Sequence, residues 1–285
     1  MIFYRCLGRL PFGLLYPLAW VTYVFLYYVS GYRKAVVMDN LASAFPDQTE
    51  TEITLLAKKF YRQLAEVGVE IARAWYMPRE AFQRRVEILN PDLLVDCSRG
   101  FSHTVIILTI HQGNWEWMMH GLSASLGVSV DPVYKPLHSP TADRFVREVR
   151  SRFGARPLPL KMAPRDILRN KGEPRLGAMV ADQAPIRRER SYWTHFLNRE
   201  AAFYPGAERI ARSVECPILF AQCKRVRQGH YQVEFHQLAH PPYASREGTI
   251  TERYVKMAER AIREQPESWL WSNRRWKRRR EKDQG

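Results

Sequence analysis

A histidine and a glutamate follow an apolar run in the middle of the chain, and their types and spacing suit acid–base chemistry. His111 comes directly after the run 105–110, and Glu116 lies five positions further on. An imidazole can take a proton from a substrate hydroxyl at one ring nitrogen while the other donates to a carboxylate, which fixes the tautomer. We therefore expect His111 to be a general base that Glu116 orients. Spacing alone leaves a plain local ion pair as the alternative.

The elements around this pair can be predicted from the same segment. The β-branched and aliphatic residues 105–110 predict a buried strand, and Asn114 can cap a helix that runs to about Leu126. Gly113 leaves room for a tight turn or a ligand. A helix N-terminus favours an ionised Glu116 by up to about 1 kcal/mol. His111 would lie at the carboxyl end of a strand, where open α/β sheets bind ligands. We call residues 111–116 the HQGNWE turn.

Strands and helices alternate along the rest of the chain, which predicts an α/β fold with a mixed central sheet flanked by helices. We expect strands at about 105–110, 128–134, 155–160, 176–181, 217–224 and 231–238. We expect helices at about 51–75, 79–87, 114–126, 141–153, 166–170, 206–214 and 248–264. We find no linker that would divide this region. The organisation expected is an N-terminal hydrophobic anchor (1–34), one α/β domain (35–273) and a basic C-terminal tail (274–285).

The anchor is predicted from residues 10–30, which carry no charge and approach the roughly 20 residues that span a bilayer. Basic residues flank the segment on both sides, and no small-x-small site follows that would mark a cleaved signal peptide. Pro11, Pro17 and several aromatic residues fit a kinked or shallow anchor as well as a spanning helix. We expect stable membrane association, with a buried N-terminal helix of the domain as the alternative.

The net charge of +15 indicates an anionic partner, which can be nucleic acid, a negative membrane surface or an acidic carrier. The dense basic cluster 274–280 suits anionic headgroups or an acidic protein, or it is simply a solvated chain end. No nucleic-acid-binding motif is visible, and a nucleic-acid-binding protein would not account for the HQGNWE turn. The four cysteines are scattered without a CxxC pair, so we expect reduced structural thiols and no metal site.

Several segments together resemble the late (secondary) acyltransferases of lipid A biosynthesis, within the lysophospholipid acyltransferase superfamily. That superfamily is marked by a histidine, four residues, and then an aspartate or glutamate, as in the HQGNWE turn. The resemblance covers nearly the whole chain, beginning with the hydrophobic anchor. It includes the segments NLASAFP (40–46), YKP (134–136), RSRFGAR (150–156), VADQ (180–183) and WLWSNRRWK (269–277).

This resemblance implies an enzyme that transfers a fatty acyl chain from acyl carrier protein to a hydroxyl of a lipid A precursor. His111 would be the general base and Glu116 its partner, and the backbone N–H groups of 113–115 or a nearby arginine would stabilise the oxyanion. No cofactor is implied beyond the acyl-acyl carrier protein co-substrate. The expected location is the bacterial inner membrane with its anionic surface, with the active site on the cytoplasmic face. The alternative is an acyltransferase of the same superfamily with another acceptor, such as a glycolipid, an aminolipid or a lysophospholipid.

The resemblance also suggests residues that bind substrate. Arg150 is the first choice for the family's functional arginine and Arg152 the second, unless both are solvated residues of a basic helix. Lys135 replaces an arginine often found between the tyrosine and the proline, and it lacks the bidentate fork that would clamp a phosphate.

Four further residues are expected to contact substrate. Asp182 and Gln183 would hold the acceptor or brace Arg150, or they would merely cap a loop. Asn114 and Gly113 would contact substrate from the turn, although Asn114 can equally be only the helix cap.

Overall fold

The computed structural model describes residues 7–170, 173–185 and 191–277, and its centre is a mixed sheet of seven strands. A separate hairpin holds two more. The strands are β1 (Val86–Ile88), β2 (Val105–Thr109), β3 (Val130–Tyr134), β4 (Leu158–Pro159), β5 (Leu176–Val180), β6 (Tyr192–Phe196), β7 (Arg199–Phe203), β8 (Ile218–Arg227) and β9 (His230–Ala239). The order in the large sheet is β1-β9-β8-β2-β5-β3-β4, and β6 pairs with β7.

Helices cover the sheet, which confirms the predicted mixed α/β fold. In chain order the α-helices are α1 (Phe12–Val24), α2 (Lys34–Ala44), α3 (Glu50–Ala74), α4 (Arg79–Arg85), α5 (Pro91–Cys97), α6 (Trp115–Leu126), α7 (Pro140–Arg150), α8 (Ala163–Arg169), α9 (Gly206–Val214) and α10 (Thr249–Glu264). A π-helical segment (Phe25–Val29) extends α1, and short 3-10 segments follow α7 (Ser151–Phe153) and α10 (Pro266–Ser268).

Strand direction determines where chemistry can occur. β2 pairs in parallel with both β5 and β8, and β3 pairs in parallel with β5 and β4. Five neighbouring strands therefore end at one edge of the sheet, and the loops that follow β2 and β5 leave it side by side. β9 runs antiparallel to β8, and β1 follows the direction of β9.

The central strand β2 is buried on both faces, as its continuous apolar sequence predicts. Ile106 and Leu108 pack into one hydrophobic cluster, while Val105 and Ile107 pack into a second cluster on the opposite face. This alternation follows from the two-residue period of a strand. The strand therefore holds the segment that follows it, beginning at Ile110, against a core that is closed on both sides.

The long helix α3 begins at a capping box, in which Thr49 and Glu52 satisfy each other's backbone N–H groups. Helix α1 packs along it in the opposite direction. Before the start of α1, the backbone oxygen of Gly8 accepts a hydrogen bond from Arg73, and beyond its other end Tyr27 contacts Tyr61 with ring centroids 5.4 Å apart. The apolar N-terminal helix thus shares a core with the domain instead of standing apart from it.

Residues Phe12–Val29 are the one stretch of the described chain with the length and composition to cross a membrane. Leu15 and Ala19 are fully buried against α3, and most of the remaining surface of the helix is exposed. The exposed large side chains include Leu14, Trp20, Val21, Phe25, Tyr28 and Val29.

The structure differs from the sequence predictions in several places. Helices α2 and α5, strand β1 and the β6–β7 hairpin were not expected. The strand expected at 155–160 is reduced to the two residues of β4. The basic tail expected from residue 274 begins with folded residues, because Arg275 is 1% exposed and donates to the backbone oxygen of Ala202. Residues 1–6 of the anchor and 278–285 of the tail lie outside the described residues.

Candidate active site

His111 lies at the carboxyl edge of β2, and its imidazole is held by a buried aspartate. His111 Nδ1 is 2.6 Å from Asp182 Oδ1, and the His111 backbone N–H donates to Asp182 Oδ2 over 3.1 Å. Trp269 Nε1 donates to the same Oδ2 atom over 2.7 Å. With donors on both oxygens, the carboxylate is fixed in place, and it accepts the proton of His111 Nδ1. The second ring nitrogen, Nε2, is then the one that can take a proton.

The prediction that Glu116 holds the His111 imidazole is wrong in this structure, because the hydrogen bond goes to Asp182. Asp182 follows β5, the parallel neighbour of β2, and reaches the histidine across the edge of the sheet. The expectation that Asp182 braces Arg150 is also wrong, because the Asp182 carboxylate bonds to His111 and Trp269 while Arg150 pairs with Glu116.

Glu116 instead forms a two-pronged ion pair with Arg150. Arg150 Nε donates to Glu116 Oε2 over 3.0 Å, and Arg150 Nη2 donates to Oε1. The side chains are 13% and 18% exposed, so the pair is largely removed from water. The guanidinium also lies over the ring of Tyr134, 5.6 Å from its centroid. Arg150 is the last residue of α7 and Glu116 lies in the first turn of α6. The ion pair therefore joins the end of one helix to the start of the other.

Charge and burial oppose each other at all three ionisable groups. Burial by itself would lower the pKa of His111, but the negative charges of Asp182 and Glu116 outweigh it and raise that pKa above its usual value. Burial favours neutral carboxyls, yet Arg150 lowers the pKa of Glu116 and His111 lowers the pKa of Asp182. Both acids are therefore ionised at neutral pH.

The free side of the histidine faces a partly open region. The His111 side chain is 17% exposed. Its Nε2 atom lies 3.2 Å from the amide nitrogen of Gln183, whose side chain is exposed. The ring of Trp115 stands edge-on at 5.0 Å between centroids. A hydroxyl group that displaced the Gln183 amide would meet the basic nitrogen directly.

The sequence profile of the bacterial lipid A biosynthesis acyltransferases matches residues 1–278 of this chain. The chain belongs to that family. The protein is therefore an acyltransferase connected with lipid A biosynthesis, and the resemblance seen in its sequence segments is confirmed. Membership in this family, together with the apolar helix α1, is consistent with a membrane-associated protein. No curated protein matched the chain.

In this acyltransferase Gly113 and Asn114 build the turn. Gly113 has a φ of +59°, and a Cβ atom there would lie 2.6 Å from the backbone oxygen of Cys223, so the position requires glycine. Asn114 is 0% exposed, and its Oδ1 accepts the backbone N–H of Trp117 over 2.9 Å. The expectation that Asn114 contacts substrate is not met, because its side chain is buried and caps α6. A contact of Gly113 with substrate remains a prediction.

The two other basic candidates have different surroundings. Arg152 donates to the backbone oxygens of Ala74, the last residue of α3, and Met77, so it contributes to packing at this helix end, and its contact with substrate stays a prediction. Lys135 is exposed in the loop after β3, at the same edge of the sheet as His111. Its contact with substrate stays a prediction.

Other groups near the turn are poor candidates for chemistry. Burial lowers the pKa of His120 to about 4, and the ring packs against Phe82 and Phe153. Burial raises the pKa of the Cys223 thiol to about 12, so this sulfur stays protonated at neutral pH. Across residues 7–170, 173–185 and 191–277 no group of three or more His, Cys, Asp or Glu side chains is arranged to hold a metal ion.

Two residues of the site were missed by sequence reasoning. Trp269 lies in the segment after α10 and donates a hydrogen bond to Asp182. The signal available in the sequence was its position in WLWSNRRWK (269–277), one of the segments that resemble the family. Glu70 of α3 bonds to Asn114 behind the turn. The signal available for Glu70 was the pair of glutamates at 66 and 70, whose like charges would repel on one helix face unless each had a partner.

Proposed function

We propose that this enzyme transfers a fatty acyl chain from acyl carrier protein to a hydroxyl group of a lipid A precursor, with His111 as the general base. The observation that carries the proposal is the orientation of His111. Its Nδ1 atom is engaged by Asp182, and its Nε2 atom points to a partly open edge of the sheet beside an ion pair. An alcohol needs such a base to attack a thioester.

The reaction follows from this geometry. His111 Nε2 takes the proton of the acceptor hydroxyl as the oxygen attacks the thioester carbonyl, and a tetrahedral oxyanion forms. Asp182 stabilises the imidazolium that results, as the aspartate does in a serine–histidine–aspartate triad. The intermediate then collapses, the carbon–sulfur bond breaks, and the proton passes from His111 to the departing thiolate. No bond between the acyl group and the protein is needed.

The oxyanion needs donors, and some of those expected are already occupied. The backbone N–H of Gly113 donates to the backbone oxygen of Ser268, and the backbone N–H of Asn114 lies against the Cys223 sulfur. Arg150 is the better choice, because only its Nε and Nη2 atoms face Glu116 and the guanidinium has five N–H donors. One such donor typically contributes about 3 kcal/mol to the transition state.

The membrane contact is proposed to be the exposed face of α1. The segment from Gly8 to Tyr27, which contains α1, lies along α3, so a spanning orientation would carry α3 and its charged residues into the bilayer. A helix that lies in the interface needs only one apolar face, and α1 exposes Trp20 and Val21 on such a face. We propose that the protein lies on the cytoplasmic side of the inner membrane, where acyl carrier protein and an anionic surface would suit its positive charge.

The test of the reaction is mass analysis of lipid A from a strain that lacks the gene, with and without restoration by the wild type or by His111→Ala. Loss of one acyl chain that only the wild type restores would support the proposal, and the mass difference would give the chain length. If His111→Ala restores the chain, His111 is not the base. Unchanged lipid A in a strain without a redundant enzyme would favour another acceptor, such as a glycolipid, an aminolipid or a lysophospholipid.

A further inference from the structure

A buried carboxylate lies directly behind the HQGNWE turn. Glu70 of α3 is 0% exposed. Its Oε2 atom accepts from Asn114 Nδ2 over 2.9 Å and from the Tyr231 hydroxyl over 2.5 Å, and its Oε1 atom accepts from the Tyr16 hydroxyl over 3.2 Å. Its backbone oxygen accepts from Trp117 Nε1 over 2.9 Å. One residue thus connects α1, α3, α6 and β9.

The direction of the Asn114 contact is set by the backbone. Asn114 Oδ1 must face the N–H of Trp117, because a backbone N–H can only donate. The amide nitrogen of Asn114 then points to Glu70 and needs an acceptor there. The two ends of this side chain therefore have separate tasks, since one caps α6 and the other fastens the turn to α3.

Glu70 differs from the glutamate one helical turn before it. Glu66 pairs with the charged side chain of Arg225, whereas the donors at Glu70 are two tyrosines and an asparagine. Burial raises the pKa of Glu70, and the hydrogen bonds from Tyr231 and Asn114 oppose that rise. A buried acceptor surrounded by neutral donors holds geometry more than it holds charge.

We propose that Glu70 is a positioning residue for the acyl transfer, acting through Asn114 to hold His111 and Glu116 in their working geometry. The inference rests on the proposed function of His111. Asn114 lies between the base and the glutamate, and α6 begins directly after it. Movement of this residue would therefore displace His111 from Asp182 and Glu116 from Arg150. The Tyr16 contact joins the membrane-facing helix to the same carboxylate.

The experiment compares Glu70→Leu, Glu70→Gln and Asn114→Ser in the full-length enzyme. Leucine removes the acceptor at similar size, and glutamine keeps an oxygen for Asn114 and Tyr231 while its amide donates to the rotatable Tyr16 hydroxyl. Serine at 114 keeps a good helix cap but cannot reach Glu70. We expect Glu70→Leu and Asn114→Ser each to lower kcat about 10- to 100-fold with little change in KM. Glu70→Gln should retain most of the wild-type kcat. The double variant Glu70→Leu/Asn114→Ser should lose no more rate than Glu70→Leu alone, because leucine at 70 already removes the contact with Asn114.

A second readout does not depend on turnover. The rate at which diethyl pyrocarbonate modifies His111, followed by peptide mass analysis across pH, gives the pKa of its imidazole. In Glu70→Leu and Asn114→Ser this pKa should fall as the contact with Asp182 loosens, and in Glu70→Gln it should match the wild type. Glu66→Gln is the matched control on the same helix, and it should leave both kcat and the His111 pKa unchanged.

The outcomes separate the possibilities. A folded Glu70→Leu variant with wild-type kcat and a wild-type His111 pKa would overturn the proposal. If Glu70→Gln lowers the His111 pKa as much as leucine does, Glu70 acts by its charge and the positioning role is wrong. Should Glu70→Leu fail to fold, Asn114→Ser decides alone, because it leaves the cap and both tyrosine contacts in place. If the wild type transfers no acyl chain, the proposed function fails, while the His111 pKa still tests the positioning role.

Discussion

His111 Nδ1 lies 2.6 Å from Asp182 Oδ1, although 71 residues separate the two in sequence. The contact exists because β2 and β5 pair in parallel, with Thr109 opposite Val180, so that the residues following each strand meet at one edge. Once Asp182 fixes the imidazole, Glu116 is available to pair with Arg150. The site therefore combines a histidine–aspartate pair with a separate glutamate–arginine pair, and each can be tested independently.

Asp182→Asn should lower kcat by about two to four orders of magnitude, because an amide nitrogen facing Nδ1 favours the tautomer whose Nε2 carries a proton and cannot act as a base. It should also change the pH dependence. His111 is a base only when neutral, so activity rises with pH through its pKa, which Asp182 holds above the ordinary value. Removing that charge lowers the pKa and moves the acid limb of kcat/KM to lower pH.

The measurement is kcat/KM for the wild type and Asp182→Asn at a series of pH values, with circular dichroism to show that the variant is folded. Trp269→Phe is a useful companion, since it removes one donor to Asp182 and leaves the histidine contact. A small loss of rate and an unmoved acid limb are expected there. If the acid limb of kcat/KM lies at the same pH in Asp182→Asn as in the wild type, the group that titrates there is not His111.

Arg150→Lys should lower kcat/KM at least about tenfold while the protein keeps most of its stability, because lysine keeps the charge near Glu116 but loses the fork that can serve an oxyanion. Glu116→Gln should instead cost about 3 kcal/mol of unfolding free energy, since it leaves a largely buried guanidinium without its partner. Steady-state kinetics and thermal melts of both variants, and of the double variant, measure the coupling. Additive losses would show that the two side chains act separately.

The local parts of the site could be predicted from sequence, and the long-range parts could not. The strand before His111, the glycine turn and the Asn114 cap all follow from neighbouring residues, and the helix predicted at 206–214 coincides with α9. The partner of His111 depends on which strand lies beside β2, and the order of strands in a sheet cannot be predicted from local sequence patterns. The family motif drew attention to Glu116, five residues away, whereas the sheet brings Asp182 to the histidine.

The basic tail is a second case in which long-range contacts could not be predicted from sequence. The basic cluster is expected to face anionic headgroups, an acidic protein or solvent, yet Arg275 lies 4.2 Å from the ring centroid of Phe203 and also faces Phe196. Both rings belong to the β6–β7 hairpin, which was not predicted. Burial lowers the pKa of Arg275 to about 10, so it remains charged at neutral pH. The two aromatic rings and the backbone oxygen of Ala202 compensate for the burial of Arg275.

Arg152→Gln should lower stability by about 1 to 3 kcal/mol without a matching loss of kcat/KM, because the native side chain satisfies two backbone oxygens at the C-terminal end of α3, those of Ala74 and Met77. Chemical denaturation and steady-state kinetics of the same preparation test this. Arg147→Ala, an exposed position on the preceding helical turn, should change neither quantity. A large loss of kcat/KM in a stable Arg152→Gln variant would instead support the predicted contact of this residue with substrate.

Charges placed on the outer face of α1 should release the enzyme from membranes without unfolding it. Trp20 and Val21 are 58% and 55% exposed, so Trp20→Glu and Val21→Glu disturb little packing, whereas removal of the whole helix would uncover the surface of α3 that Leu15 and Ala19 bury. Each apolar side chain withdrawn from the bilayer should cost about 2 kcal/mol, which is roughly 30-fold in vesicle affinity. Sedimentation with vesicles of mixed neutral and anionic lipid measures the change, and Leu168→Glu on α8, where leucine is 43% exposed, is the matched control. Wild-type binding by the α1 variants would place the membrane contact on another surface. Loss of binding in both α1 variants, with the control unaffected, would support an interfacial helix that keeps the His111 edge of the sheet close to its lipid acceptor.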